Sequence, residues 1–190
     1  MAARKALLEG VGKEVAASFP GITRLGGQIV AALYLADGLR SMDQLAAELG
    51  RSKSNVFANL RALEAAQIVE RRREPGARHD SFTLKGPYPD VIVGAYITRL
   101  RLVVHDKQQL VSRSLALLGS SEGGEAEALR TKLGELGRKY RYFGTIFDQV
   151  LPGLEGPIDI EALLRRVPPN LFEALVHELR KYLSSEQNPH

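Results

Sequence analysis

The stretch RSKSNVFANLRALEAAQIVERRREPGARHDSFTL, residues 51–84, joins a helix-like segment to three consecutive arginines and a Pro-Gly turn. Ser52 predicts an N-cap for a helix from Lys53 to Ala66, because a serine oxygen can accept a hydrogen bond from a backbone N–H of the first turn. Val56, Leu60 and Leu63 fall on one face of that helix and predict its buried side. The stretch therefore begins with an amphipathic helix.

Two short strands are predicted after this helix, at 68–73 and 81–84, with Pro75-Gly76 as the turn between them. Upstream, Ser41 predicts an N-cap for the helix MDQLAAEL, which Gly50 closes. Before it, GITRLGGQIVAALYLADG predicts a helix whose Gly26 and Gly27 indicate close packing against another helix. A further amphipathic helix is predicted over residues 5–19. This order of elements is the plan of a winged helix-turn-helix.

Long helices are predicted after Pro87, where apolar residues recur at helical spacing. A heptad-type seam follows the turn SSEGGE and needs another long helix as a partner, in the same chain or in a second copy. The predicted fold class is mainly α with a small β wing: a winged helix-turn-helix plus long dimerisation helices. The predicted division is 1–20 for an N-terminal dimerisation helix, 21–86 for the winged domain, 87–184 for a helical dimerisation and effector region, and 185–190 for a tail.

Composition narrows the classes of function. The 190 residues carry a formal net charge of +4 and include no cysteine, so disulfides and thiolate metal sites are excluded. No segment approaches the roughly 20 apolar residues of a membrane span, and the first residues do not resemble a signal peptide. We therefore expect a cytoplasmic, nucleoid-associated protein without a membrane partner. The mild positive charge permits a nucleic-acid partner without requiring one.

The face of the 53–66 helix opposite its buried stripe predicts contact with DNA. Small and amide side chains there would let the helix enter a major groove, where Asn55 could recognise an adenine edge. In the wing, alternate arginines point to opposite faces, and Arg78 at the tip could enter a minor groove. The predicted DNA-binding residues are Ser41, Ser52, Lys53, Ser54, Asn55, Ala58, Asn59, Arg61, Arg71, Arg72, Arg73, Arg78 and His79. Phe57 could touch a thymine methyl group, or pack sideways against the wing or the preceding helix, which we favour.

These residues resemble the GbsR group of MarR-related transcriptional regulators over roughly residues 20–85. The similarity lies in the Leu33-Tyr34-Leu35 segment, the Ser52-Lys53 helix start and the Asn59-Leu60-Arg61 step. The resemblance implies a dimeric DNA-binding repressor acting on a pseudo-palindromic double-stranded operator. Wings of this type usually contain Asp-x-Arg, but Gly76-Ala77-Arg78 stands there in this sequence. Arg78 therefore lacks the aspartate that is expected to hold the wing arginine in position.

The resemblance also implies a homodimer, and it leaves open whether a small-molecule effector acts on it. Some GbsR-type relatives respond to quaternary ammonium osmolytes, which aromatic faces attract. The predicted ligand-binding residues are Tyr140, Tyr142, Phe143 and Phe147, although aromatics at helical spacing also suit a helix core. The predicted dimerisation residues are Leu8, Val11, Val15, Val93, Ile97, Leu100, Val104, Leu129, Leu133 and Leu136.

An enzyme is not expected, because the four histidines are scattered and no metal-ligand spacing, nucleophile motif or phosphate-cradling loop occurs. We expect no cofactor and no metal. Two alternatives to a gene regulator stay open. The winged domain could bind a protein through Phe57, or it could be a non-specific architectural DNA-binding module.

Overall fold

In the computed structural model the chain forms two compact units, Met1–Pro157 and Ile158–His190. The structure describes residues 2–36, 38–73, 75–76, 79–150, 156–166, 170, 173–174, 176–178 and 180–181. The first unit holds the winged helix and two long helices. The second holds a short helix, Ile160–Arg166. The predicted division at residue 86 stays a prediction, and the tail at 185–190 lies outside the described residues.

The first unit is mainly helical, with one small antiparallel sheet. Its elements are α1 (Ala2–Ser18), α2 (Arg24–Tyr34), β1 (Arg40–Ser41), α3 (Met42–Leu49), α4 (Lys53–Ala65), β2 (Val69–Arg72), β3 (Ser81–Leu84), α5 (Asp90–Leu118) and α6 (Gly124–Val150), and α7 is the helix of the second unit. The strand order is β1-β3-β2, so β3 is central. The predicted fold class is confirmed. Strand β1 was not predicted, because two residues are too few to show an alternating pattern.

The serine caps that the sequence predicts are found at the starts of α3 and α4. The Ser41 hydroxyl accepts from the Gln44 N–H, and the Gln44 side chain accepts from the Ser41 N–H at 2.8 Å, which completes a capping box. Gly50 ends α3 at φ 60°, in the left-handed region that glycine adopts without a steric penalty. Two residues later the Ser52 hydroxyl accepts from the Asn55 N–H and starts α4. The starts of both helices and the end of α3 are therefore fixed by local interactions.

The core lies between α2, α4 and the sheet. Its fully buried large side chains include Ile29 and Val30 of α2, Leu45 of α3, and Val56, Leu60 and Leu63 of α4. Burying one such side chain stabilises the fold by roughly 1.5–3 kcal/mol. Since three of them lie on one stripe of α4, the rotation of α4 about its axis is fixed, and with it the face that α4 turns to solvent.

Helix α1 crosses α2 at a pair of glycines. A Cβ on Gly27 would lie 2.7 Å from the Gly12 Cα and 2.7 Å from the Val11 carbonyl oxygen, closer than real Cβ atoms approach. A Cβ on Gly12 would lie 3.0 Å from the Arg24 carbonyl oxygen. The predicted close packing at Gly27 is confirmed, and the two backbones touch there. Gly26 is also closed in, because a Cβ there would overlap the Ile22 side chain.

Helices α5 and α6 form an antiparallel pair. The Gln108 side chain donates to the Tyr140 carbonyl oxygen at 2.9 Å, and Arg101 donates to the Phe147 carbonyl oxygen at 3.3 Å. A Cβ on Gly137 would lie 3.2 Å from Val111, so α6 approaches α5 closely at this glycine. Among the described helices, even these long ones lack the apolar content needed to cross a bilayer.

Candidate nucleic-acid interface

The outward face of α4 carries small and polar side chains. Ser54, Asn55, Ala58 and Arg61 are exposed, opposite the buried stripe of Val56, Leu60 and Leu63, as the helical projection predicts. No bulky side chain lies at 54, 55 or 58, so the backbone of α4 can approach a partner closely. Arg61 adds a cation and lies 3.8 Å from Glu64, a separation that leaves it free to turn outward.

Asn59 does not belong to this face, and its prediction as a DNA contact is corrected. It is only 9% exposed, and both ends of its amide are occupied. Its Oδ1 accepts from the Thr23 hydroxyl at 2.7 Å, and its Nδ2 donates to the Asn55 carbonyl oxygen at 2.8 Å. Thr23 is itself the N-cap of α2. Asn59 therefore joins the middle of α4 to the start of α2.

The first turn of α4 has its polar groups partly engaged. The Ser41 and Ser52 hydroxyl oxygens accept backbone N–H groups as N-caps, so each helps to set a helix end. The Lys53 ammonium donates to Asp43 at 2.9 Å, yet both side chains are mostly exposed. An exposed ion pair of this kind contributes at most about 1 kcal/mol and can exchange for another anion. Lys53 is thus available to a phosphate.

Strand β2 places its arginines on two faces. Arg71 makes two 3.1 Å hydrogen bonds to the Glu64 carboxylate, a third of 3.3 Å to Asp80, and lies over the Phe82 ring at 5.7 Å. Hydrogen bonding to Glu64 raises the pKa of the Arg71 guanidinium above its ordinary value. These contacts attach the wing to α4 through a bidentate pair.

Arg72 at the end of β2 and Arg73 directly after the strand continue this alternation. Arg73 donates to Asp80 at 2.9 Å, on the same face as Arg71. Arg72 points to the opposite face and pairs with Glu70. The predicted alternation is therefore found. An acid does hold wing arginines in place, but it is Asp80, which follows the tip, rather than an Asp before it.

The tip of the wing is described only in part. Arg78 lies outside the described residues, so its predicted minor-groove role stays a prediction. His79 is exposed beside the wing turn. Across the sheet, Arg40 of β1 pairs in register with Phe82. Sequence reasoning did not single out Arg40, because β1 has no detectable pattern of its own.

A recess of about 440 Å³ adjoins the first turn of α4 and was not predicted. Its walls include Thr23, Arg24, Arg51, Asn55 and Asn59. Arg51 is exposed immediately before the Ser52 cap, and Arg24 is ion-paired with Glu9. Two further arginines thus flank the outward face of α4. The position of Arg51 next to a helix cap is the signal that could have identified it.

Phe57 faces the wing on one side and solvent on the other. Its ring borders a cavity of about 130 Å³ together with Met42, His79 and Phe82, so one edge faces the start of α3 and the wing. The side chain is nevertheless 48% exposed. Packing of Phe57 against the wing or the preceding helix therefore stays a prediction.

The four aromatic residues predicted to bind an effector are not brought together as a cage. Tyr140 and Phe143 are neighbours, with ring centroids 6.4 Å apart and planes tilted by 50°. Tyr142 is 73% exposed. Phe147 instead lines a different cavity, between α5 and α6, in which Arg101 and Arg141 also take part. Two cations beside Phe147 disfavour a quaternary ammonium ligand there.

The predicted dimerisation residues lie in three environments. Val11 and Val15 of α1 are buried in the core of their own chain, and Val104 is buried as well, so these side chains do not reach the surface. Leu8, Val93, Ile97 and Leu133 are half-buried. Leu100, Leu129 and Leu136 are exposed. Only the last two groups present apolar surface to a second copy.

Within the part of the chain that the structure describes, no group of three or more His, Asp or Glu side chains is placed to hold a metal ion.

Comparison with known proteins agrees with this geometry. A sequence profile of the MarR family matches residues 21–78. No curated protein matches the chain in sequence. The crystal structure of a transcriptional regulator is similar over 78% of this chain and 95% of its own, with a TM-score of 0.61 and 22% identity.

Two further solved structures match the chain with TM-scores below 0.5. A transcriptional regulator from Thermotoga maritima has a TM-score of 0.38 and 22% identity over 73% of this chain and 90% of its own. MepR, a transcription regulator of the Staphylococcus aureus multidrug efflux pump MepA, has a TM-score of 0.34 and 15% identity over 95% of this chain and 90% of its own.

Proposed function

We propose that the protein is a sequence-specific regulator of transcription that binds double-stranded DNA. The proposal starts from the match of residues 21–78 to the MarR family, which indicates a winged-helix domain of that family. The observation that carries the proposal is the outward face of α4. Small and polar side chains occupy it, and arginines from α4, the α3–α4 turn and the wing surround it. A major groove is wide enough to admit a helix with such a face.

Separate residues would position the helix and recognise the sequence. Lys53, Arg51 and the backbone N–H groups of the first turn suit phosphates, which fix the register without carrying sequence information. Asn55 can donate to and accept from an adenine edge, and Arg61 can bind a guanine edge or a phosphate. Arg78 at the wing tip would enter the minor groove or contact the backbone.

A homodimer is part of the proposal. Apolar side chains of α5 and α6 stay in solvent in the single chain, among them Leu110, Leu117, Leu129 and Leu136. Leu117 is 87% exposed and borders a cavity of about 350 Å³ with Leu129 and Leu133 near the turn between the helices. Contiguous apolar surface of this kind favours association with a matching surface. A two-fold dimer would present two α4 helices to half-sites roughly 34–36 Å apart on a pseudo-palindromic operator.

The finer assignment is to the GbsR-like branch, acting as a repressor on the nucleoid in the cytoplasm. It is supported by the Leu33-Tyr34-Leu35 segment and the Ser52-Lys53 start of α4. Repression would follow if the bound dimer occupied a promoter.

Selection of bound fragments from sheared genomic DNA by the purified full chain tests the proposal. We expect a small set of fragments that share a two-fold motif, bound at least about a thousandfold more tightly than random duplex at the same salt concentration. Arg61→Gln should weaken binding, while Arg138→Gln, an exposed arginine on α6, should not. Light scattering of the unbound protein should give the mass of two chains.

Two outcomes would favour the alternatives. Binding without sequence preference would indicate an architectural DNA-binding protein. Absence of DNA binding at low salt would favour a protein-interaction module, for which the half-exposed ring of Phe57 is the supporting observation. In that case Phe57→Ala should abolish association with the partner and leave the fold intact.

A further inference from the structure

The recess beside the first turn of α4 lies on the side of this helix that faces away from the wing. Asn55 and Asn59 of α4 line it, together with Thr23 and Arg24 at the start of α2. Phe57, which borders a cavity with wing residues, lies about 200° around α4 from Asn55. The recess and the wing therefore flank opposite sides of the outward face of α4.

Tertiary contacts hold the backbones around the recess. The Thr23 hydroxyl donates to Asn59 Oδ1 at 2.7 Å, so the start of α2 is attached to α4. On the other side, α1 crosses α2 where the backbones of Gly12 and Gly27 touch. A Cβ on Gly12 would lie 3.3 Å from Arg24 Cγ, so the aliphatic part of Arg24 lies against α1. The charged groups at the recess thus extend from backbones whose relative positions are set by packing.

Glu9 of α1 occupies one of the two arginines that line the recess. Arg24 pairs with Glu9, and this glutamate also accepts a hydrogen bond from the Gln28 side chain at 2.9 Å. Because Glu9 lies one helical turn before Gly12, the crossing of α1 and α2 holds its backbone beside Arg24. The side chains of the pair are nevertheless 55% and 37% exposed, so ions in solution reach both. The second arginine, Arg51, is exposed at the rim.

A helix that lies in a major groove has phosphates on both of its sides. The groove is about 12 Å wide, and the backbone of one strand runs along each edge. The arginines of the wing lie toward one edge, whereas Arg24 and Arg51 lie toward the other. Guanidinium groups match phosphate oxygens with two parallel hydrogen bonds. An exposed ion pair is weak, so a phosphate at this edge can replace Glu9 as the partner of Arg24.

We propose that a backbone phosphate of the bound duplex enters the recess, where Arg24 and Arg51 bind it and Glu9 competes with it for Arg24. This contact, which rests on the proposed function, adds the start of α2 and a residue of α1 to the surface that meets DNA. Since a phosphate carries no sequence information, Arg24 positions the duplex without selecting its sequence. Glu9 acts through Arg24 as a positioning residue, and it lowers the affinity for operator and random duplexes alike.

Fluorescence anisotropy with the full-length chain tests the competition. Affinities are measured for the selected operator duplex and for a random duplex of the same length, over a series of salt concentrations. Glu9→Gln should tighten both duplexes by about two- to fivefold per half-site at low salt, the scale of an exposed ion pair. Arg24→Gln should weaken both and reduce the slope of log affinity against log salt by about one unit per half-site. In the double variant Glu9→Gln should add nothing, because the glutamate acts through the arginine that is missing.

Two matched controls separate the contact from a change in net charge. Glu14→Gln removes the same charge from an exposed residue of α1, about 140° around the helix from Glu9, and should change neither affinity nor slope to the same extent. Arg138→Gln, an exposed arginine on α6, is the control for Arg24→Gln and should leave both duplexes unaffected.

The phosphate itself is tested on the DNA. In a series of operator duplexes, one phosphate at a time is replaced by an uncharged methylphosphonate. At one position in each half-site the replacement should weaken binding of the parent chain and leave that of the Arg24→Gln variant unchanged. If no position depends on Arg24 in this way, the recess does not receive a phosphate.

Other outcomes overturn the role of Glu9. Equal gains in Glu9→Gln and Glu14→Gln, or a gain from Glu9→Gln that persists in the Arg24→Gln background, would show that Glu9 does not compete for Arg24. Weaker binding by Glu9→Gln would make Glu9 a support for Arg24 instead, and circular dichroism melts exclude loss of fold as the cause. A parent chain that binds no duplex would refute the proposed function, whereas a parent that binds its operator without these effects refutes only the contact.

Discussion

Asn55 and Asn59 lie one helical turn apart on α4, and the same substitution should have opposite consequences at the two positions. Asn59→Ala removes two partly buried hydrogen bonds, one from the Thr23 hydroxyl and one to the Asn55 carbonyl oxygen. Asn55→Ala removes an exposed side chain, because only the backbone N–H of Asn55 takes part in the Ser52 cap. We predict that Asn59 controls stability and that Asn55 controls base preference.

The magnitudes follow from these contacts. Each hydrogen bond contributes about 0.5–1.5 kcal/mol, so Asn59→Ala should lower the free energy of unfolding by about 1–3 kcal/mol. For a chain of this length each kcal/mol corresponds to about 2–4 °C in melting temperature. Asn55→Ala should stay within about 0.5 kcal/mol of the parent in stability. On the operator it should lose about 1–3 kcal/mol of discrimination at one base pair.

Urea unfolding followed by circular dichroism measures the free energy of unfolding. Fluorescence anisotropy with operator duplexes that are changed one base pair at a time measures the base preference. For Asn59→Ala the ranking of the duplexes should be that of the parent chain. If Asn59→Ala instead changed the base ranking and left the unfolding midpoint unmoved, the inward orientation of Asn59 would be wrong. Equal losses of Asn55→Ala on operator and random DNA would show that Asn55 only positions the helix.

Three further predictions concern other parts of the chain. Gly27→Ala should destabilise the fold by about 1–3 kcal/mol, because the new methyl group meets the backbone of Gly12. Gly10→Ala, on the open side of α1, should instead stabilise the fold by about 0.5–1 kcal/mol. Equal urea midpoints for the two variants would contradict the close crossing of α1 and α2. Burial raises the pKa of the Tyr88 phenol, so the folded state holds this proton more tightly than the unfolded chain. The contribution of Tyr88 to stability should therefore be complete below about pH 10 and be lost as the pH rises further. Unfolding titrations at several alkaline pH values should show a shallower fall for Tyr88→Phe, and an identical fall would exclude Tyr88 as a cause. Arg78→Ala should reduce the slope of log affinity against log salt by about one unit, measured on operator DNA, and an unchanged slope would remove the wing tip from the contacts.

The parts of the fold that local rules determine could be predicted from the sequence. Serine caps at 41 and 52, the left-handed glycine at 50 and the Pro-Gly turn each depend on a few neighbouring residues, and all are found. Asn59 shows where such rules fail. It lies about 60° from the centre of the buried stripe of α4, at the edge between core and solvent. Its inward orientation depends on Thr23, a residue 36 positions away that the spacing within α4 does not reveal.

The seam of α6 is a second case in which periodicity was not sufficient. The leucines at 129 and 136 have heptad spacing, yet α5 packs closely on α6 at Gly137, and both leucines stay exposed. Spacing identifies an apolar stripe but does not say which stripe faces a given neighbour. Because Gly137 has no side chain, α5 packs against the face of α6 that carries this glycine. The stripe that remains exposed on α6 is what a second copy would have to cover.

The pairing of the wing arginines has a consequence for how the protein would search a chromosome. Arg71, Arg72 and Arg73 have Glu64, Glu70 and Asp80 as partners, so this patch is close to electrically neutral. A duplex of arbitrary sequence gains little from approaching such a patch, since each phosphate must first displace a carboxylate. In the proposed function, long residence on unrelated DNA would thereby be discouraged, and a site that also satisfies α4 would gain a larger share of the bound protein. The number of arginines in the wing therefore overstates its attraction for DNA in general.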